Sequence, residues 1–260
     1  MSDLLQAVVL GVIEGVSEFL PISSTGHLLI AEHWLGARSE LFNVAIQAGA
    51  ILAALLVFWP RVMTLLRGFG LPENRSYLGK LLLAFAITVV GGFAAKKLGL
   101  ALPNTVAPVA AALIIGGVLM LAIEWLIAGR AVSAEASWPV AVAVGIGQLV
   151  AAIFPGTSRS AATIFAAMLV GMTARPAATE FAFLVGIPTM FAATGYEFLK
   201  LRGTDTAHED WTALIVAFVV ATVVAYVAVR WLLRYLQTHR FTAFAWYRIA
   251  LGIVLLAIVR

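Results

Sequence analysis

The sequence predicts an all-α integral membrane protein made of inverted-topology repeats, each with one re-entrant helical hairpin and three transmembrane helices. Three observations carry that prediction. Hydrophobic residues make up 62% of the 260 positions and charged residues only 12%, with a mean hydropathy of +1.01, a balance outside the range of soluble domains. Six apolar runs are long enough to cross roughly 30 Å of hydrocarbon as helix. Two segments 134 residues apart, Gly11-Val-Ile-Glu-Gly-Val-Ser-Glu-Phe-Leu-Pro-Ile-Ser-Ser-Thr-Gly-His27 and Gly145-Ile-Gly-Gln-Leu-Val-Ala-Ala-Ile-Phe-Pro-Gly-Thr-Ser-Arg-Ser160, vary one theme. At a fixed offset Gly11 matches Gly145, Glu14 matches Gln148, Pro21 matches Pro155 and Ser24 matches Ser158.

The first element, about Leu4 to Leu35, is too polar midway to face lipid as one helix. It reads as a half-helix, a loop and a half-helix returning to the same side, which survives at membrane depth only when buried in protein or lining a wet cavity. Spans follow at Leu41 to Trp59, Lys80 to Ala95 and Val106 to Ala128. Between the first two, residues 61–79 suit a short interfacial helix, because Val62, Leu65, Leu66 and Phe69 alternate with Arg61 and Arg67. A second hairpin, about Val140 to Val170, precedes spans at Glu180 to Leu199, Trp211 to Leu233 and Ala243 to Val259. The chain is therefore one membrane domain over residues 1–260, with repeat one at 1–130 (hairpin about 4–35) and repeat two at 131–260 (hairpin about 140–170). An odd number of crossings per unit makes the second unit enter from the opposite face. The competing reading is chance matching of Gly and Pro in a chain rich in small residues.

Charge orients the fold. Arg61, Arg67, Arg75, Lys80, Arg130, Arg175, Arg230, Arg234 and Arg240 fall on one face, against Arg38, Lys96, Lys97, Lys200, Arg202 and Arg260 on the other, where Glu40, Asp205, Glu209 and Asp210 also lie. The first face is expected to be cytoplasmic, leaving both termini and the first hairpin's opening on the outer side. The net charge of +4 belongs mostly to these flanks, so no nucleic-acid partner is expected. There is no cysteine, which excludes disulfides and thiol chemistry. Met1-Ser-Asp lacks the basic region of a cleaved signal.

The polar residues inside the hairpins are where chemistry is expected. Glu14 and Glu18, spaced i, i+4, share a helix face. Each charge near a bilayer centre costs on the order of 2.5 to 3.5 kcal/mol, so a shared proton, a nearby base or a divalent cation must compensate. The plainer reading is a protonated or wet pair. Pro21 ends the half-helix. Ser23, Ser24 and Thr25 suit a cap on the returning helix, but three hydroxyls with Gly26 and His27 exceed what a cap needs. His27 has the chemistry of a base, a nucleophile or a metal ligand, and also of an interfacial histidine bonded to a loop carbonyl. In the second loop Gln148 replaces an acid, and Arg159, flanked by Ser158, Ser160 and Thr163 at a helix start, has the parts of an oxyanion or phosphate cradle. Its alternative role is a structural ion pair with Glu14 or Glu18. If the loops meet, carboxylates hold a hard cation and the arginine holds an anion, an inventory suited to phosphate ester or anhydride hydrolysis. The rival is a polyprenyl-phosphate or solute transporter with a midplane anion site, because broken helices in inverted repeats also build secondary transporters.

Glu14-Gly-Val-Ser-Glu-Phe-Leu-Pro-Ile-Ser-Ser-Thr-Gly-His27 with Pro155-Gly-Thr-Ser-Arg-Ser160 closely resembles the bacterial undecaprenyl-diphosphate phosphatase, or bacitracin-resistance, family. The similarity extends over essentially the whole chain, including Phe42-Asn-Val-Ala-Ile-Gln47 and Glu180-Phe-Ala-Phe-Leu, and departs at Ala161, where the family pattern has Gly. The resemblance implies a metal-dependent phosphatase of the bacterial inner membrane that removes the terminal phosphate from the C55 isoprenoid diphosphate. It implies catalytic roles for Glu14, Glu18, His27 and Arg159, with Ser24 and His27 as rival nucleophiles. Ser24 is the favoured one, with His27 or Glu18 taking its proton. Ser23, Thr25, Gln47, Ser158, Ser160 and Thr163 are expected to contact substrate, and Glu14 and Glu18 to place Mg²⁺ or Ca²⁺. The implied partners are a polyprenyl diphosphate and membrane lipids, with a homodimer left open.

Overall fold

The computed structural model describes residues 2–100, 102–103, 105–201 and 209–258. Arg202, Asp205, Arg260 and the last residue of the final span, Val259, lie outside the described residues. All regular structure among the described residues is helical: α1 (Asp3–Ser17), α2 (Ser24–Leu35), α3 (Glu40–Arg67), α4 (Pro72–Lys97), α5 (Val106–Leu126), α6 (Trp138–Ile153), α7 (Arg159–Leu169), α8 (Arg175–Lys200), α9 (Trp211–Tyr235) and α10 (Thr242–Ile258).

Five of these, α3, α4, α5, α8 and α9, are long and apolar enough to cross a membrane. The chain is a multi-pass membrane protein, and its surface agrees. Val90, Phe93, Ile115 and Val227 are all exposed, each by more than half, apolar area that a soluble monomer does not leave uncovered. The sixth expected span corresponds to α10, which at 17 residues is shorter than the other five. The interfacial helix expected over residues 61–79 does not form. Instead α3 continues through Pro60 to Arg67 and α4 begins with Pro72 in its first turn. Arg61 explains the extension: it bonds Glu180 of α8 at 2.9 Å and lies over the Tyr77 ring of α4, so this stretch is held by tertiary partners instead of by a lipid surface.

Close helix approach builds the interior. Without a hydrophobic force between helices in lipid, small residues at the seam allow dispersion contacts to accumulate. α1 lies along α9, where a Cβ on Gly11 or Gly15 would come within 2.7 Å of the Ala217 or Ala221 carbonyl. α9 presents Ala213, Ala217, Ala221 and Ala225 to this seam, all buried and one helical turn apart. α6 packs on α4, with Gly145 against the Ala84 carbonyl, and α5 packs on α10. A further lock is polar. Buried Glu124 of α5 takes the Arg175 guanidinium of α8 on both oxygens and the Phe241 amide at 3.0 Å, tying the start of α10 to two other helices. A bidentate, fully bonded carboxylate of this kind meets the condition for burying a charge.

Candidate active site

Both helix pairs break in the same way. α1 ends at Ser17, and Glu18 to Ile22 lead through Pro21 to Ser23, which sits at φ 74° and ψ 101° and accepts the Gly26 amide on its hydroxyl at 3.4 Å. α6 ends at Ile153, and Phe154 to Thr157 lead through Pro155 to Ser158, at φ 69° and ψ 114°, whose hydroxyl accepts the Ala161 amide at 3.3 Å. These are the two non-glycine residues with positive φ among the described residues. Such positions cost of order 1 to 3 kcal/mol each and gather at functional sites.

The second turn carries one more residue after its proline, Gly156, at φ +86°, where a Cβ would also meet the Val109 carbonyl at 2.7 Å. Local geometry therefore pairs Ser23 with Ser158 and Ser24 with Arg159. This corrects by one residue the fixed offset that matched Ser24 to Ser158. Ser24 and Arg159 each open a returning helix, beside leading N–H groups that have no intrahelical acceptor.

The two turns meet. Glu18, Ser24, Ser158 and Arg159 line one cavity of about 90 Å³, with Gln47 of α3 on its wall. Glu18 and Arg159 also share a smaller apolar-sided space with Phe19, Gln148, Phe183 and Met190. On the other side of Ser24 a larger cavity, about 340 Å³, is lined by Glu14, Thr25, Glu32, Asn43 and Gln47. Within this arrangement the Ser24 hydroxyl donates to Glu18 Oε2 at 2.5 Å. Glu14 and Glu18 are both buried, and Glu14 feels repulsion from Glu18 and attraction from Arg159. Arg159 itself makes no ion pair or side-chain hydrogen bond among the described residues, so the structural ion pair with Glu14 or Glu18 is not formed. Its guanidinium donors are therefore unengaged among the described residues.

The remaining sequence-selected residues divide. Ser160 donates to the Leu20 carbonyl at 3.1 Å, joining α7 to the first turn, and so accepts from Ser158 at 3.0 Å because its single proton is spent. Thr163 donates back to the Arg159 carbonyl at 2.8 Å. Gln47 accepts from Thr194 at 3.1 Å, which turns its amide toward α8. His27 stands apart from all three cavities. Its Nδ1–H donates to the Ser23 carbonyl at 2.7 Å, leaving Nε2 to accept the Tyr247 hydroxyl at 2.6 Å, with the two rings stacked.

Two residues of α10 escaped the sequence reading. Tyr247 holds His27, and Arg248, fully buried, donates to the carbonyls of Pro21 at 3.4 Å, Ala112 at 3.1 Å and Gly156 at 3.2 Å. One guanidinium thus fastens both turns and α5. The signal was present, since an arginine inside the apolar run Ala243 to Val259 is a functional-site pointer by itself.

Comparison with known proteins places these features in context. The family model described as "Bacitracin resistance protein BacA" matches residues 7–254. An undecaprenyl-diphosphatase of Rhizobium etli (strain CIAT 652) is 59% identical over 255 residues, covering 98% of this chain and 96% of its own. One from Stenotrophomonas maltophilia (strain R551-3) is 58% identical over 257 residues, 98% of this chain and 97% of its own. One from Xanthomonas oryzae pv. oryzae (strain PXO99A) is 55% identical over 260 residues, with the same coverage of 98% and 97%.

Proposed function

The chain belongs to the BacA family of bacitracin-resistance proteins, and we propose on that footing that it hydrolyses undecaprenyl diphosphate to undecaprenyl phosphate and inorganic phosphate, recycling the lipid carrier for cell-wall synthesis. The observation that carries the reading is the 2.5 Å bond from Ser24 to Glu18 on the wall shared with Arg159. A hydroxyl is a weak nucleophile until a base takes its proton, and this pair has the required reach. Ser24 Oγ attacks the terminal phosphorus as Glu18 Oε2 accepts its proton; the bond to the bridging oxygen breaks, and the lipid monophosphate leaves. Water then displaces the serine from phosphorus, and the proton held by Glu18 returns to Ser24. Arg159 and the leading amides of α2 and α7 hold the phosphoryl oxygens as their charge builds. His27, engaged on both nitrogens, acts by holding the Ser23 carbonyl, and so the turn, in place.

A divalent cation, Mg²⁺ or Ca²⁺, fits this donor set. Glu14 Oε2 is a buried carboxylate oxygen without a hydrogen-bond partner, a hard ligand of the kind these ions select. When bound, the ion supplies positive charge against phosphoryl oxygens. Glu14 is its natural anchor, since Glu18 Oε2 already accepts the Ser24 hydrogen bond.

The same proposal covers the architecture. The two helix pairs α1–α2 and α6–α7 are re-entrant hairpins of two inverted repeats, 1–130 and 131–260. Support comes from the matched serine turns and from an exchange of partners, α1 against α9 of the second unit and α6 against α4 of the first. The protein lies in the bacterial inner membrane with the site open to the outer side. Base-rich flanks at the opposite end support this orientation, as does the large cavity's reach from Glu14 to Glu32 near the end of α2. A polyprenyl tail then stays in the bilayer while its diphosphate enters between the turns. Purified protein in detergent should release inorganic phosphate from a prenyl diphosphate, and no release would remove the enzyme reading in favour of transport, which needs a sealed bilayer.

A further inference from the structure

Thr194 of α8 departs from the pattern set by the other threonines inside helices. Thr64, Thr88, Thr163, Thr179, Thr189 and Thr222 all donate to the carbonyl four residues before them, the local bond open to any threonine in a helix. Thr194 is buried and lies well inside its helix, yet it reaches across to α3 and gives its proton to Gln47 Oε1 at 3.1 Å. It has no other partner among the described residues. That decides which arm of the Gln47 amide faces α8. A buried hydroxyl proton needs an acceptor, and only the oxygen of the amide can accept it; the nitrogen, which offers hydrogens alone, would leave it stranded. The planar group therefore turns Nε2 away from Thr194. Nε2 has no partner among the described residues. Gln47 is half-buried and, like Ser24 and Thr25, lines both the cavity of about 90 Å³ that contains Arg159 and the one of about 340 Å³ between α2 and α3.

We propose that Thr194 is a positioning residue: it holds the Gln47 amide with Nε2 toward the junction of the two cavities, where Nε2 donates to the lipid-side phosphate of the diphosphate while Arg159 takes the terminal one. The inference deepens the phosphatase reading and rests on it. Phosphoryl oxygens only accept, so the same amide turned over would set Oε1 against the anion. One hydroxyl thus selects attraction over repulsion, a means of specificity that needs no charge of its own. The bond is of the stronger kind, because its acceptor is ionised. It forms when the diphosphate settles beside Ser24, before any bond to phosphorus breaks, so its loss is read first in affinity. Gln47 touches the substrate, and Thr194, reaching no cavity, acts through Gln47.

Calorimetric titration of the purified full chain in detergent with farnesyl methylenediphosphonate, whose bridging carbon resists cleavage, reads this device without turnover. Gln47→Leu should weaken binding about tenfold or more and Thr194→Val about three- to tenfold, whereas Thr194→Ser, which keeps the hydroxyl, should stay within about twofold of wild type. The double variant Gln47→Leu, Thr194→Val should bind as Gln47→Leu does, since no amide is left to orient. KM for farnesyl diphosphate should follow the same order, with kcat changing less. A bond that only ties α3 to α8 would lower the melting temperature of Thr194→Val and leave its affinity unchanged, which would overturn the proposal. Additive losses in the double variant, a serine variant as weak as the valine one, or no binding of the analogue by wild type would overturn it equally. Phosphate release is scored separately, so its absence with this order of affinities intact rejects the enzyme reading and leaves the positioning role standing.

Discussion

The turn that ends at Ser23 and the turn that ends at Ser158 use one backbone device for different chemistry. Each follows a proline, holds a serine at positive φ and caps the next helix with that serine's hydroxyl. Beyond the cap they diverge. The first is preceded by Glu14 and Glu18 and opens its helix with a serine, whereas the second is preceded by Gln148 and opens with Arg159. The difference teaches that the strained turn is the shared scaffold and the residue after it sets the chemistry, which in the proposed mechanism is a nucleophile on one side and an anion holder on the other. A single chain thereby separates acid from base across a cavity, and Arg159 makes no ion pair among the described residues.

The sharpest way to break this division is to remove the base. Glu18→Gln should lower phosphate release by about 10²- to 10⁴-fold, and Ser24→Ala by a similar factor. The double variant should be scarcely worse than either single one, because the two act as a unit; additive losses would separate them. Arg159→Ala should reduce turnover about 10²- to 10³-fold, with Arg159→Lys recovering only part because an ammonium lacks the planar fork. Steady-state kinetics in detergent decides, and unchanged turnover in Arg159→Ala would end its anion-holding role.

Arg248→Met tests whether the turns need their common fastening. It leaves the buried Pro21 and Gly156 carbonyls without a donor, and a loss of about 3 kcal/mol or more in stability is expected from thermal unfolding. Comparable melting would mean that the turns hold without it. Ser23→Ala and Ser158→Ala sharpen the comparison of scaffolds, since each loses a cap and keeps the strain, at about 1 kcal/mol. Ser→Gly at either site should be tolerated, because glycine adopts the positive φ freely. Unequal responses at the two sites would show that the turns are not equivalent. The smallest effect belongs to Tyr247→Phe, which removes one hydrogen bond to His27, about 1 kcal/mol, and should change turnover only several-fold in the same assay.

Much of this was legible because it is local. Pro21 and Pro155 break helices through the missing donor of their own residue, and hydropathy marks spans within a window of about 20 residues. The stretch 61–79 was misread for the complementary reason: its alternating pattern suits a surface helix, but Arg61 finds Glu180 and Tyr77, partners that no window of sequence contains. The one-residue slip between the turns was hidden as well, since an added Gly156 changes register through its φ and leaves the motif looking intact.

By itself, the order of residues determined that this chain lives in a membrane, where its helices break, and which polar groups sit near the breaks. All of these follow from solvent and from backbone stereochemistry over a few neighbouring positions. Which polar group meets which was decided only by tertiary packing. Ser24 reaches Glu18 while His27 turns to Tyr247, and Arg248 gathers carbonyls from three segments far away along the chain. Those choices depend on how closely glycine and alanine let the helices approach, a property of pairs of helices that neither carries alone.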